Sequence, residues 1–331
     1  MHLCDGNSTT ANEVALSTAI MWYAMKHKRD NYADLSVLGF SKSAHGASVA
    51  TLSCSDASAN VGKVPTYDWP VADLPVSKMP FARNEAANMA EEERCIHEAL
   101  QTIEQRRAAG KDVAAIIVEP ISSLEMRSAT PSFYKKLRLI AKTEGIPFIV
   151  DETKTGMGQT GKMWGHELWY LNETNGGSPD MVTFGGKAGI SGFYSTVELK
   201  MHPHCASFEQ NLDMTQLLTF GITWRHIQKK GLLELVQDTS SFLKIELENA
   251  ARDKDEISNV RGLGTAIAFD LSGKDKADSM QNWLLKRGIV VARVGPATLG
   301  LRPALILDPM HAANLRDAVR SYHVNHDAQR F

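Results

Sequence analysis

Hydrophobic positions along this chain switch repeatedly between helical and strand-like spacing. Behind a Ser8-Thr9-Thr10 start, Val14 to His27 places apolar residues on one helical face, and the continuous apolar run Leu35 to Phe40 reads as a buried strand. Asn60 to Pro80 is punctuated by proline and predicts an ordered loop. Ala90 to Ala109 then returns to a helical pattern, acidic at its start and basic near its end. Val113 to Val118, Ile146 to Val150 and Met181 to Phe184 read as short apolar strands, with a helix over Pro131 to Lys142 between the first two. Helices follow over Leu212 to Lys229 and Leu232 to Asn249, broken at Gly231. Beyond Ile257 the pattern becomes strand Thr265 to Asp270, helix Lys276 to Arg287, strands Ile289 to Ala292 and Leu299 to Arg302, and helix Pro309 to Tyr322.

Short continuous strands alternating with helices predict an α/β fold, a mostly parallel sheet sandwiched by helices. The mixed pattern of the last stretch predicts a smaller C-terminal α+β domain. We place the boundary near Arg252, with residues 1–251 as the large domain and 252–331 as the small one. Ligands of parallel sheets gather beyond the carboxyl ends of the strands, and Glu119, Asp151 and Lys187 all lie just past such ends.

Composition narrows the class of partner. With 331 residues, 43% hydrophobic and 22% charged, the chain has enough apolar sequence for a substantial core. A net charge of -2 leaves no electrostatic footprint for nucleic acid or an anionic membrane. Cys4, Cys54, Cys95 and Cys205 lack the close pairs of a zinc site and point to a reduced compartment. No apolar run approaches membrane-spanning length, and no targeting segment is visible at the N-terminus.

A carboxylate ending a buried strand, Asp151, and an amine in the glycine-rich turn Gly185 to Gly192, Lys187, suit one chemistry. Pyridoxal phosphate needs an amine to hold its aldehyde as a Schiff base and a carboxylate to keep its pyridine nitrogen protonated. Either residue also has an ordinary reading, as a capping Asp or a solvated Lys.

Five stretches then appear in order: Ile117-Val118-Glu119-Pro120-Ile121, Val150-Asp151-Glu152, Thr155-Gly156-Met157-Gly158-Gln159-Thr160-Gly161-Lys162-Met163-Trp164-Gly165-His166-Glu167, Pro179-Asp180-Met181-Val182-Thr183-Phe184 and Val260-Arg261-Gly262-Leu263-Gly264. With Ala19-Ile20-Met21-Trp22-Tyr23 and Tyr67-Asp68-Trp69-Pro70, they make a chain that resembles the class III, fold type I, pyridoxal-phosphate-dependent aminotransferases, in the 4-aminobutyrate branch. The resemblance covers nearly the whole sequence. It implies a pyridoxal 5'-phosphate cofactor, a small-molecule amino donor and 2-oxo acid, a homodimer with active sites shared across the interface, and a mitochondrial matrix or cytoplasmic location. It also implies an N-terminal portion that precedes this sequence.

Carried over by position, Asp151 would pair with the pyridine nitrogen, and Arg302 would grip the carboxylate of the keto acid through two parallel hydrogen bonds. Counting forward from Phe184 puts the family lysine on Gly186, and counting back from Gly192 puts it on Lys187. Ser8 and Thr9 match the residues that open a helix under the phosphate. His45 follows the position of the ring-covering aromatic residue, which is Ala44 here, and Lys154 stands where a glutamine near the cofactor's phenolic oxygen is usual. The arginine expected for the 4-aminobutyrate carboxylate is Ala47. The glutamate expected to pair with Arg302 falls on Leu124, with Glu125 next to it. The phosphate-binding threonine of the neighbouring subunit falls near Glu209, and the cysteines of an iron-sulfur cluster in some relatives fall on Asn7 and Thr10, so no cluster is expected.

Other signals carry less. His202-Pro203-His204-Cys205 lacks a second ligand cluster, and Tyr170 stands where a zinc-protease helix starting at His166-Glu167 would need histidine. Trp164 and Trp169 read as packing residues in a helical stretch. Two readings stay open. One is an aminotransferase that moves the amino group of an ω-amino acid to 2-oxoglutarate, and the other is a degenerate, non-catalytic paralogue or fragment that keeps the fold and a dimerisation role.

Overall fold

The computed structural model describes residues 1–4, 7–199, 213–253 and 257–328. Its first elements are β1 (His2–Cys4), α1 (Ser8–His27), β2 (Ser36–Phe40), α2 (Val49–Ser53), β3 (Val71–Ala72), α3 (Glu85–Ala108), β4 (Val113–Val118), α4 (Pro131–Glu144), β5 (Phe148–Asp151), β6 (Met181–Phe184) and β7 (Ser191–Ser195). After them come α5 (Met214–Lys229), α6 (Leu232–Asp253), β8 (Ile257–Leu263), β9 (Ala266–Leu271), α7 (Lys274–Leu285), β10 (Ala292–Gly295), β11 (Thr298–Leu301) and α8 (Pro309–Ala328).

The main sheet has the order β1-β7-β6-β5-β4-β2-β3 and is parallel from β6 to β3. Its central strands β4, β5 and β6 are buried at every position, and apolar apart from Thr183 and the terminal Asp151, because both faces are covered. Ala115 and Ile117 of β4 and Ile149 of β5 pack with Val14, Leu16 and Ala19 of α1. Ile116, Val118, Phe148 and Val150 point the other way, onto Ala99 and Ile103 of α3 and Phe133 and Leu137 of α4. Asp151 stands opposite Thr183 in the β5–β6 register, so the carboxyl ends of these strands reach one edge. A second, antiparallel sheet of order β10-β11-β9-β8 packs against α6, α7 and α8. Helix α6 joins the two units: Leu232 and Val236 pack with Phe184, while Leu243, Leu247 and Ala250 pack with the second sheet. We propose the end of α6, near Arg252, as the division between domains.

Several elements differ from the sequence expectation. The apolar run Ile289 to Ala292 is not a strand. Gly288 has φ +74 and the Ile289 N–H bonds back to the Leu284 carbonyl, so the run begins as the stop of α7, and β10 starts at Ala292. The loop Asn60 to Pro80 contributes the two-residue strand β3 beside Gly39 and Phe40. Strand β7, which runs antiparallel to both its neighbours, and the three-residue β1 at the sheet edge carry too few residues to show a period. Trp164 precedes, and Trp169 ends, a short 3-10 turn rather than an α-helix, and buried Trp169 stacks on Tyr134 at 4.0 Å. Leu212, Glu209 and the run His202 to Cys205 lie outside the described residues.

Candidate active site

Asp151 sits at the floor of the crevice with its side chain 0% exposed. Its Oδ2 accepts from Asn12 Nδ2 at 2.8 Å and lies 2.8 Å from His45 Nδ1, and its Oδ1 accepts from the Thr153 N–H at 2.9 Å and the Thr153 hydroxyl at 2.6 Å. Burial would push this carboxyl up, but the hydrogen bond and charge of His45, followed by the Lys154 ammonium, outweigh burial and hold it below the usual carboxylate range, at about 2. With the carboxylate ionised, His45 Nδ1 is the donor, and His45 Nε2 is left buried without a hydrogen-bond partner among the described residues. Asn12 was not foreseen, although a polar amide beside Ala11 on the buried face of α1 is a readable sign. Its Nδ2 also donates to the His45 carbonyl at 2.6 Å, and its Oδ1 accepts from the Thr183 hydroxyl at 2.6 Å.

Lys154 ties three strand ends together. Its Nζ donates to the Ala44 carbonyl at 2.5 Å and to the Ser123 hydroxyl, and it lies 3.4 Å from Glu119 Oε1. Buried Glu119 accepts in addition from the Ala44 N–H at 3.2 Å and the Ser123 N–H at 2.9 Å. Position 44, which lacks the ring-covering aromatic, is thus fixed through its backbone by Lys154 and Glu119.

Lys187 and Arg302 form the other wall. The turn that carries Lys187 begins at Gly186, whose φ of +53 and close approach to the Thr153 carbonyl, 2.7 Å from where a Cβ would stand, leave room for glycine alone. Burial and then the Arg302 guanidinium push the Lys187 amine below the ordinary lysine range. Arg302 has one protein hydrogen bond among the described residues, a long one of 3.5 Å to the Ser122 carbonyl. Glu125, next to the position expected to pair with it, is instead held by Lys42 at 3.1 Å and by Arg127. Asp151 and Lys187 share one edge of the sheet, but no hydrogen bond or ion pair joins them among the described residues. The lysine whose charge acts on Asp151 is Lys154.

At the N-terminus of α1, Asn7 caps the Thr9 N–H at 2.9 Å, and Ser8 packs on Gly185. The Thr9 hydroxyl accepts from the Ala47 N–H at 3.3 Å. Gly46, with φ +147, brings its backbone down between Thr9 and Thr51, where a side chain would clash at 2.7–2.9 Å. Glu13, one turn along α1, accepts from the Ser48 hydroxyl.

A parallel sheet with a carboxylate and a lysine at one edge defines a class, and comparison with known proteins settles which one. The family model for aminotransferase class-III matches residues 6–321. A 4-aminobutyrate aminotransferase from Dictyostelium discoideum is 35% identical over 291 residues, covering 87% of this chain and 57% of its own length. The mitochondrial 4-aminobutyrate aminotransferase of Homo sapiens is 33% identical, covering 91% of this chain and 64% of its own. Among solved structures, the lysine aminotransferase of M. tuberculosis in the internal aldimine form superposes with a TM-score of 0.81 at 27% identity, over 97% of this chain and 74% of that one. The chain belongs to the class III aminotransferase family and has its fold type I architecture. It spans less than two thirds of the length of these two curated relatives.

The family's cofactor is pyridoxal phosphate, and the donor set here fits it in kind. Lys187 is an amine of lowered basicity, Arg302 is a cation with donors to spare, and Asp151 is an ionised carboxylate at the strand end. The fit is crowded at Asp151, where four donors already occupy the lone pairs that a ring nitrogen would use.

Proposed function

We propose that this chain carries the core of an aminotransferase that moves the amino group of an ω-amino compound to 2-oxoglutarate. 4-Aminobutyrate, the donor named in the relatives, is the first to test. The observation that carries this reading is the pairing of Lys187 with Arg302 in one wall: an amine of lowered basicity beside a guanidinium that has one long hydrogen bond among the described residues. Arg302 would take the oxo acid's carboxylate through two parallel hydrogen bonds. Lys187 would hold the cofactor and, once freed, accept a proton from substrate carbon and return it. Asp151, with His45 behind it, would keep the ring nitrogen charged, and Ser8, Thr9 and the α1 N-terminus would receive the phosphate, with Lys154 close to the phenolic oxygen. When bound, pyridoxal phosphate supplies the electron sink for the carbanion left by that proton.

The site would be completed by a second copy of the chain, which would cover exposed apolar residues of α5 such as Met214 and Leu218. A mitochondrial location follows the human and Caenorhabditis elegans relatives. A second reading, a non-catalytic paralogue that pairs with an intact subunit, draws on the filled acceptors of Asp151 and on Ala44 and Ala47. One experiment separates the two. Protein incubated with pyridoxal phosphate and reduced with borohydride should carry the cofactor mass on the Lys187 peptide, and an unlabelled Lys187 would favour the second reading.

A further inference from the structure

The C-terminal unit holds a cavity of about 660 Å³ whose lining includes none of the crevice residues, a volume in the range of small-molecule sites. Four segments surround it: α6, the turn from α7 to β10, the chain that follows β11, and α8. Leu243, Leu301, Leu307 and Leu315 make much of its lining apolar. Leu301 and Pro303 belong to it, while Arg302 between them reaches the Ser122 carbonyl in the crevice.

The charged groups on this lining differ in what they have left to offer. Asp317 is paired with Arg316 Nε at 2.8 Å, and His311 Nδ1 is bonded to Asp308 at 2.7 Å. Arg287 has no ion pair among the described residues: its guanidinium lies 3.2 Å from the centre of the Trp283 ring and makes one long hydrogen bond, 3.4 Å, to the Trp283 carbonyl. The ring holds the guanidinium in place and takes none of its N–H groups, so a fork of donors stays open at an apolar chamber.

We propose that this cavity binds a small monocarboxylic acid with an unbranched apolar tail, the head on Arg287 and the tail among Leu243, Leu301, Leu307 and Leu315. Both halves of the ligand are needed. A short acid meets only a solvent-exposed guanidinium, where a single ion pair is worth little. Each methylene that leaves water for the leucines adds affinity, and the guanidinium fork fixes which end faces out. A long-chain amine finds no free carboxylate, because Asp317 is already paired. The site stands apart from the transaminase reading and does not depend on it.

The test uses the whole chain and decanoate below its micellar concentration, with acetate and decylamine as comparison probes. Modification of arginines by phenylglyoxal, mapped by peptide mass spectrometry, should show Arg287 shielded by decanoate and by neither comparison probe. By calorimetry, affinity should rise roughly tenfold with each two methylenes from hexanoate to octanoate to decanoate. Arg287→Gln, at an exposed position, should weaken decanoate about tenfold or more and leave decylamine's weaker binding unchanged. Val290→Asp, 81% exposed and on the same lining, should also weaken decanoate and serves if the first variant misfolds. Shielding of Arg302 in place of Arg287, equal shielding by decylamine, affinities that ignore chain length, or undiminished decanoate binding in both variants would each overturn the proposal.

Discussion

The floor and the wall of the crevice are built on opposite plans. At the floor, Asp151 has four donors from three residues, each on a different element: Asn12 from α1, His45 from the turn after β2, and Thr153, which gives two, from the turn after β5. At the wall, Arg302 has one long contact, and Lys187 is loaded only by burial and by the charge of Arg302. A group that organises three elements contributes to folding. Half-buried cations with few partners among the described residues cost stability, and the cost makes sense where a ligand will supply the anion.

The sharpest way to break this contrast is Asp151→Ala. It leaves His45, Asn12 and Thr153 with buried donors and nothing to accept them, and should cost about 3–5 kcal/mol in urea unfolding, as loss of one partner from a buried pair does. The Asp151 carboxyl is depressed when folded, so its contribution is fully present above its ordinary value of 3.8 and disappears as pH falls through about 2. Wild-type stability should therefore fall across that acid window and the variant's should fall less. Lys154→Met comes next, at about 1–2 kcal/mol, because Glu119 keeps the Ala44 and Ser123 N–H groups and Lys154 is partly in water. Arg302→Met should change stability by less than about 1 kcal/mol, or raise it, because the variant removes a partly desolvated cation that has one long hydrogen bond among the described residues. A loss at Arg302 equal to that at Asp151 would end the distinction between floor and wall.

What the sequence disclosed follows the same division. Strands β4, β5 and β6 were legible because they are buried on both faces and apolar apart from Thr183 and Asp151, and Asp151 stood out as the carboxylate at the end of one of them. Lys187 stood out through its glycines, which the φ of Gly186 accounts for. The partners of Asp151 were harder to read, since Asn12 is 139 residues away and meets it only because α1 crosses the sheet behind β5. Position 154 was readable as a lysine but not as a clamp on Ala44, 110 residues away. The short antiparallel strands β1 and β7 pair through register rather than pattern, so nothing in their composition announces them.

The smallest effect to measure is the titration of Lys187 itself, and it probes the wall alone. Acylation of Lys187, followed by peptide mass spectrometry against pH, should show an apparent pKa below the ordinary 10.5, because burial and the Arg302 charge both disfavour the ammonium. Removing that charge in Arg302→Met should move the value up, but not back to 10.5, since burial is the larger cause and remains. The same displacement appears in stability with the opposite sign to Asp151. Lys187 is charged in both the folded and the unfolded chain below its folded pKa, where burying that charge costs the most. The cost fades as pH rises from the folded value toward 10.5 and is gone above it. Lys187→Met should therefore stabilise the chain at neutral pH and lose that advantage in strong alkali. An ordinary lysine titration in both proteins would mean that Lys187 faces open water and that the wall holds no poised amine.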